Sequence, residues 1–244
     1  MRNRAVSARD RHSASPGPSF ALRANDRPGG LRPPRTFWDR VAGLYDLAEF
    51  TNRKVNTAAR KRVGELVPAG GRVLDCAAGT GHFSLEAAKR AGSVLCTDQS
   101  EAMLKQARKK AAQKGLTNIS FAQRDITALP DPDGSFDAVI AGNVLHLLPE
   151  PEIAVRELWR VTAPGGRLIL PTYLQGKVGV AYGTMIKIYQ GVGFHYEHAF
   201  TAETYREFLE GLNLDLGRPS AAQVTVEVVE GKVPEGIGVL EKPI

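Results

Sequence analysis

Residues 71–100, GRVLDCAAGTGHFSLEAAKRAGSVLCTDQS, constrain the fold more than any other part of the chain. An apolar run at 72–76 opens into a loop of small residues, Ala77-Ala78-Gly79-Thr80-Gly81. A helical pattern follows to about 91, and a second apolar run at 93–97 ends on Asp98. Two strands joined through a helix run parallel, because a tight turn joins only antiparallel ones. The stretch therefore reads as a βαβ unit with its loop at the strand end where open α/β sheets bind ligands. A carboxylate, Asp75, stands at the mouth of that loop.

The alternation continues. Ser100 is placed to cap a helix running to about 114, ISFAQ (119–123) is a third strand and FDAVIAG (136–142) a fourth. A helix over about 151–162, a turn at APGG and a fifth strand, RLILPTY (167–173), come next. Ahead of the unit, 37–50 and 56–67 have helical spacing, the second stopped by Pro68. After strand 5 the pattern predicts helices over 178–192 and 201–212, then two strands meeting around Gly231. That last hairpin forces the final strand to enter antiparallel to the rest. The fold class expected is α/β: a doubly wound, mostly parallel seven-stranded sheet, helices on both faces, the last strand antiparallel, with a helical cap after strand 5.

The net charge of +6 suggests a polyanion partner until its location is considered. Residues 1–35 hold eight Arg, two Asp and no Lys, which accounts for all of it; residues 36–244 balance. The folded part thus has no bulk field for nucleic acid. Five prolines and the absence of a core predict that 1–35 is a disordered tail, either a dispensable extension or, less in keeping with its prolines, a transit segment. Residues 36–244 form the domain, with the cap insertion at about 174–200. The two cysteines, Cys76 and Cys96, end inner strands as small hydrophobes, which points to reduced thiols and a cytoplasmic protein without stable membrane insertion.

By spacing, Gly79-x-Gly81-x-x-Ser84 with Asp98 beyond is compatible with a dinucleotide, but such a match is weak alone. Asp75 argues against a pyrophosphate, which it would repel. The same carboxylate favours a ligand with positive charge and no phosphate. S-adenosyl-L-methionine has that profile: an ammonium, a sulfonium, two ribose hydroxyls and a neutral adenine. Charge-assisted hydrogen bonds to such groups contribute roughly 1.5–3 kcal/mol each.

At this point the chain resembles the class I, Rossmann-like S-adenosylmethionine-dependent methyltransferases. VLDCAAGTG resembles their first motif, LCTDQSEAML the second, RDITALPDPDGSFDAVIAGNVLHLL the third and fourth, and ELWRVTAPGGRLIL the last. Five motifs in order make the resemblance specific over about 37–175. It implies that Ala77, Gly79 and Gly81 floor the methionine part and that Asp75 faces the ligand's polar end. It also implies that Asp98 holds both ribose hydroxyls and that Gln99 and Met103 flank the adenine. Asp125 and Ile126 would meet the adenine edge, and Asn143 would start the loop over the methionine end. Simpler roles compete: helix N-terminal charges for Asp75 and Asp98, plain core for Met103, a turn cap for Asp125.

Ala77 followed by AGTG, with FWDRVAGLYD upstream, is similar to the ubiquinone/menaquinone C-methyltransferase branch. The chain departs from that branch after strand 4, with GNVLHLL, and after strand 5, with LPTYL. The expected function is methyl transfer to a small-molecule or lipid-like acceptor. A quinone precursor is the alternative acceptor, and a non-catalytic S-adenosylmethionine-binding protein is the alternative of another class. The window 173–205 holds seven of the 17 aromatic side chains, including Tyr173, Tyr182, Phe200 and Tyr205, with His195 and His198 among them. It reads either as an acceptor lid or as packing for two extra helices. The catalytic candidates are His146, His195 and Tyr182, with His198 and Tyr45 as further polar handles. No metal is expected, and the assembly is expected to be a monomer or homodimer.

Overall fold

The computed structural model describes residues 37–43, 52–175, 197–214 and 223–244. In chain order the elements are α1 (Phe37–Val41), α2 (Arg53–Leu66), β1 (Arg72–Cys76), α3 (His82–Ala87), β2 (Ser93–Asp98), α4 (Glu101–Gln113), β3 (Ile119–Gln123) and β4 (Phe136–Ile140). A 3₁₀ turn (Leu145–Leu147), α5 (Pro151–Val161), β5 (Thr162–Tyr173), α6 (Ala202–Gly211), β6 (Gln223–Val229) and β7 (Glu235–Glu241) complete them.

The seven strands form one sheet in the order β3-β2-β1-β4-β5-β7-β6. The pairs among β1 to β5 are parallel, and β7 runs antiparallel to both β5 and β6. The expected architecture is therefore present, including the reversed last strand. The connection from β6 to β7 passes through Gly231, whose missing side chain leaves room for Val55 of α2: a Cβ there would lie 2.2 Å from Val55 Cγ2.

Alternation along the strands builds two separate cores. Val73, Ala138, Ile140, Ile169 and Ile237 face α2 and α3, packing on Ala59, Val63 and Phe83. Their neighbours Leu74, Val139, Leu168, Leu170 and Leu240 face the other way, onto Leu158 and Trp159 of α5 and Tyr205 and Leu209 of α6. A side-chain period of two on buried strands leaves no other arrangement. Cys96 of β2 joins Leu104 and Ala107 of α4 in a third cluster, and both cysteines are free and buried.

Two features differ from expectation. Strand 5 begins at Thr162, not Arg167: Thr162 pairs with Phe136, and pairing resumes at Arg167 opposite Ala138. Ala163-Pro164-Gly165-Gly166 is thus a bulge within the strand rather than a turn before it. Gly165 takes φ +74 there and donates its N–H to the Lys242 carbonyl. The second difference concerns the aromatic window. Phe200 and Tyr205 are core residues, 7% and 0% exposed, and the Tyr205 hydroxyl donates to the Leu170 carbonyl at 2.5 Å. For these two, packing is the role. Tyr182, Tyr189, Phe194, His195 and Tyr196, with the helix expected over 178–192, lie outside the described residues, as do Tyr45 and residues 1–36.

Candidate active site

The parallel order reverses at β1: β1 connects outward to β2, while β4 lies on its other side. The connections after β1 and β4 leave in opposite directions, which opens a crevice between their C-terminal ends. A cavity of about 320 Å³ occupies it. Its wall comes from the β1–α3 loop (Ala77, Ala78, Gly79, with His82 and Phe83), the end of β2 (Asp98, Gln99) and Met103 of α4. Arg124 to Thr127 after β3, Gly142 to Val144 after β4, Leu147 and Leu148, and Trp38 of α1 close it.

The loop is tight because three of its residues are left-handed: Ala77 at φ 52, Gly79 at φ 55 and Gly81 at φ 82. For Ala77 that conformation costs about 1–2 kcal/mol, so the surroundings must hold it. They do so with Ala78 N–H on the Thr97 carbonyl (2.8 Å) and Gly79 N–H on Asp98 Oδ2 (2.8 Å).

Asp98 also accepts the Ser100 N–H on Oδ1 at 2.8 Å. Each carboxylate oxygen has a second lone pair, so both can accept from a diol while keeping these bonds. Burial raises its pKa, the Ser100 and Gly79 N–H groups oppose that, and the nearby Asp39 adds to the rise. Ser100 caps α4, as expected, accepting from Met103 N at 3.2 Å, and its hydroxyl donates to Asp39 Oδ1 at 2.5 Å. That contact seats α1 on the start of α4 and brings Trp38 into the cavity wall.

The cavity gathers Ala77, Gly79, Asp98, Gln99, Met103, Asp125, Ile126 and Asn143, eight of the ten residues expected to hold the cofactor. Asp125 caps a turn, as the simpler reading had it, and also lies in the cavity wall. Its Oδ1 takes the N–H (2.9 Å) and hydroxyl (2.7 Å) of Thr127, capping the turn, while the residue also lines the cavity.

Two expected residues stand outside the cavity wall, and Gly81 is one of them. It packs behind the loop, where a Cβ would lie 2.8 Å from the Ala107 Cβ, so its role is close approach of α3 to α4. Asp75 is the other. It is 0% exposed beneath the loop, with Oδ2 accepting from the Ser84 hydroxyl at 2.5 Å.

Trp38, Phe83, Arg124 and Gly142 are wall residues that the sequence reading did not expect there. Phe83 and Gly142 explain each other. A Cβ at 142 would fall 2.1 Å from Phe83 Cε2, so the ring occupies the space that glycine leaves. Nothing local in HFSLEA distinguishes that ring from ordinary core. Trp38 follows from α1 docking, which only the contact between Asp39 and Ser100 reveals.

His146 lies in the 3₁₀ turn after β4 but is absent from the cavity wall. Its Nδ1 is 3.2 Å from Thr172 Oγ1 and its ring 6.1 Å from that of Tyr173. Burial, with His198 nearby, lowers its pKa to about 4, so the imidazole is neutral at pH 7. The Glu197 and His198 N–H groups both donate to the His146 carbonyl, which ties the segment after the undescribed region to this turn.

Among the described residues, the buried side-chain polar atoms lacking a hydrogen-bond partner are two, Asp75 Oδ1 and Asn143 Oδ1. Both are acceptors. Asp75 is the register partner of Ile140, so both residues belong to the adjacent ends of β1 and β4. An acceptor-rich pole at a switch-point crevice suits a ligand end carrying N–H donors and positive charge, and repels phosphate.

The sheet order, the reversed β7 and this crevice define a Rossmann-like methyltransferase architecture. Residues 73–166 match the family described as methyltransferase domain. The chain is 37% identical over 160 residues to demethylmenaquinone methyltransferase of Thermus thermophilus, covering 62% of this chain and 70% of that one. It is 33% identical over 158 residues to the ubiquinone/menaquinone biosynthesis C-methyltransferase UbiE of Yersinia pestis, with 61% of each covered. In structure it is similar to an S-adenosylmethionine-dependent methyltransferase of Aquifex aeolicus (TM-score 0.55, 23% identity, 72% and 84% covered). It is also similar to the cyclase SpnF (TM-score 0.58, 21% identity, 76% and 80% covered). The second likeness shows how little the fold alone says about the reaction. The chain belongs to the class I S-adenosylmethionine-dependent methyltransferases, and its cofactor is S-adenosyl-L-methionine.

Proposed function

We propose that this methyltransferase acts on a small-molecule or lipid-like acceptor and that the cavity residues divide the cofactor between them. The observation that supports the cofactor reading is Asn143 Oδ1, a buried acceptor without a hydrogen-bond partner on a residue of the cavity wall. Asn143 and the Ala77–Gly79 loop take the methionine end, Asp98 the ribose hydroxyls, and Gln99, Met103, Asp125 and Ile126 surround the adenine. When bound, the cofactor supplies a methyl group already activated by its sulfonium. The chain's own contribution is to hold donor and acceptor aligned and to exclude water, for which the apolar Trp38, Phe83, Val144, Leu147 and Leu148 are suited.

A quinone precursor is the acceptor that the named relatives favour. Transfer to a ring carbon requires loss of a proton, so a base is needed. Of the three expected candidates, His146 is the one within the described residues: it precedes the wall residue Leu147, and its Nδ1 lies 3.2 Å from Thr172 Oγ1. His195 and Tyr182 complete the proposed catalytic set. Two measurements test the reading. Calorimetry should show binding of S-adenosylhomocysteine and none of NAD. Asp98→Ala should weaken that binding by about 2–3 kcal/mol, for two charge-assisted bonds lost. Incubation with methyl-labelled cofactor and a short-chain demethylated naphthoquinol should label the ring. Tight NAD binding would overturn the cofactor site, and labelling of other acceptors only would overturn the quinone reading.

A further inference from the structure

Glu235, the first residue of β7, is a carboxylate 1% exposed to solvent. Its Cα pairs with Tyr173 at the C-terminal end of β5. A buried carboxylate is costly unless hydrogen-bonded, so its partners are informative. One of them lies beyond β5, at the end of β4: Asn143 donates Nδ2 to Glu235 Oε1 at 3.2 Å.

Asn143 is unusual in three ways. It is left-handed, at φ 56, three residues past the end of β4. Its backbone N–H is fixed to the Pro171 carbonyl at 2.8 Å. Its Oδ1 is sealed from solvent and has no partner, while the residue lines the cavity. An amide offers donors on one side and an acceptor on the other, and either side could face Glu235. A carboxylate oxygen that accepts selects the donor side. The orphan oxygen is then left for another partner.

We propose that Glu235 is a positioning residue for cofactor binding, acting through Asn143. It fixes the side-chain amide with Nδ2 toward β7, which keeps Oδ1 available to an N–H donor at the methionine end of the ligand, its ammonium. This rests on the cofactor reading above. The backbone bond to Pro171 and the side-chain bond to Glu235 together hold the left-handed turn from which Gly142, Asn143 and Val144 enter the wall. β7 thereby reaches a site whose wall comes from the loops after β1 to β4, from α4 and from Trp38 of α1.

The test is calorimetry on the full chain with two probes, S-adenosylhomocysteine and 5′-methylthioadenosine, which lacks the amino-acid part. Wild-type binding of S-adenosylhomocysteine checks the cavity itself, so failure there counts against the cofactor reading and not against Glu235. Glu235→Gln keeps the shape but brings an amide N–H that competes for Asn143 Oδ1. It should weaken S-adenosylhomocysteine five-fold or more and leave methylthioadenosine within two-fold. Asn143→Ala should show the same selectivity, and the double variant should be no worse than the more affected single one. Should Glu235→Gln fail to fold, Asn143→Ala alone still has to lose the amino-acid-bearing probe selectively. The proposal is overturned by S-adenosylhomocysteine affinity within two-fold of wild type in either folded variant. Equal losses for both probes, which would mean general loosening of the wall, or additive losses in the double variant, would overturn it too.

Discussion

Replacing Asp75 by Asn tests whether a buried charge beneath the loop shapes both stability and binding. The carboxyl is fully buried, one oxygen bonded to Ser84 and the other unpartnered. Burial raises its pKa from 3.8 to about 7; the Ser84 hydroxyl and N–H oppose that, and Asp98 adds to it. At about 1.4 kcal/mol per decade, holding the ionised form in the fold costs about 4 kcal/mol relative to the unfolded chain. The sign follows from proton counts. Below pH 3.8 both states hold the proton and there is no cost. Between about pH 4 and 7 the unfolded chain has lost it and the folded one retains it, so stability falls as pH rises. Above about 7 both are ionised and the curve is flat. Urea unfolding at about pH 5 and about pH 8.5 reads this. Subtracting Asp75→Asn, which cannot ionise, cancels the other titrating groups. The wild-type stability relative to the variant should fall by about 2–3 kcal/mol across that interval. A difference constant to within about 0.5 kcal/mol would refute the reasoning. Ligand gives a second check. A cationic ligand end favours the ionised carboxylate, so binding near pH 7 should release a fraction of a proton, seen as a buffer-dependent calorimetric enthalpy that Asp75→Asn abolishes.

Gly142→Ala should push the Phe83 ring aside, costing about 1–3 kcal/mol of stability and weakening S-adenosylhomocysteine; affinity within two-fold of wild type would contradict the packing described. Lys242→Met should cost about 2 kcal/mol in urea unfolding, because Lys242 Nζ donates to the Trp159 and Thr162 carbonyls, each at 2.7 Å, where α5 ends. Arg72→Ala, by contrast, should cost less than about 1 kcal/mol, since its 2.9 Å pair with Asp137 is half exposed.

Much of the cavity wall was legible because it is local. A strand, a small-residue loop and a capped helix are specified within a few residues, and Asp98 ends the second strand whatever the rest of the chain does. Ser100, Gly79 and Met103 belong to the same local logic. Gly81 and Asp75 stand outside the cavity wall for one shared reason: sequence gives position along the loop but not which side of it lines the cavity. Gly81 is set by Ala107 on α4, and Asp75 by Ser84 on the next helix. The aromatic window was ambiguous because a lid and a core need the same side chains. Tertiary contact assigned Phe200 and Tyr205 to the core.

By itself the sequence determined the α/β alternation, the antiparallel last strand, the small-residue loop after β1 and the acidic end of β2. These follow from periodicity, turn chemistry and charge, all of short range. Only the tertiary structure decided that Trp38 and Phe83 wall the cavity and that the amide of Asn143 is turned by Glu235, 92 residues away. The order β3-β2-β1-β4-β5-β7-β6 brings those distant residues together. The pairing of non-adjacent strands depends on how all the buried faces are satisfied at once, and no short stretch of chain encodes that.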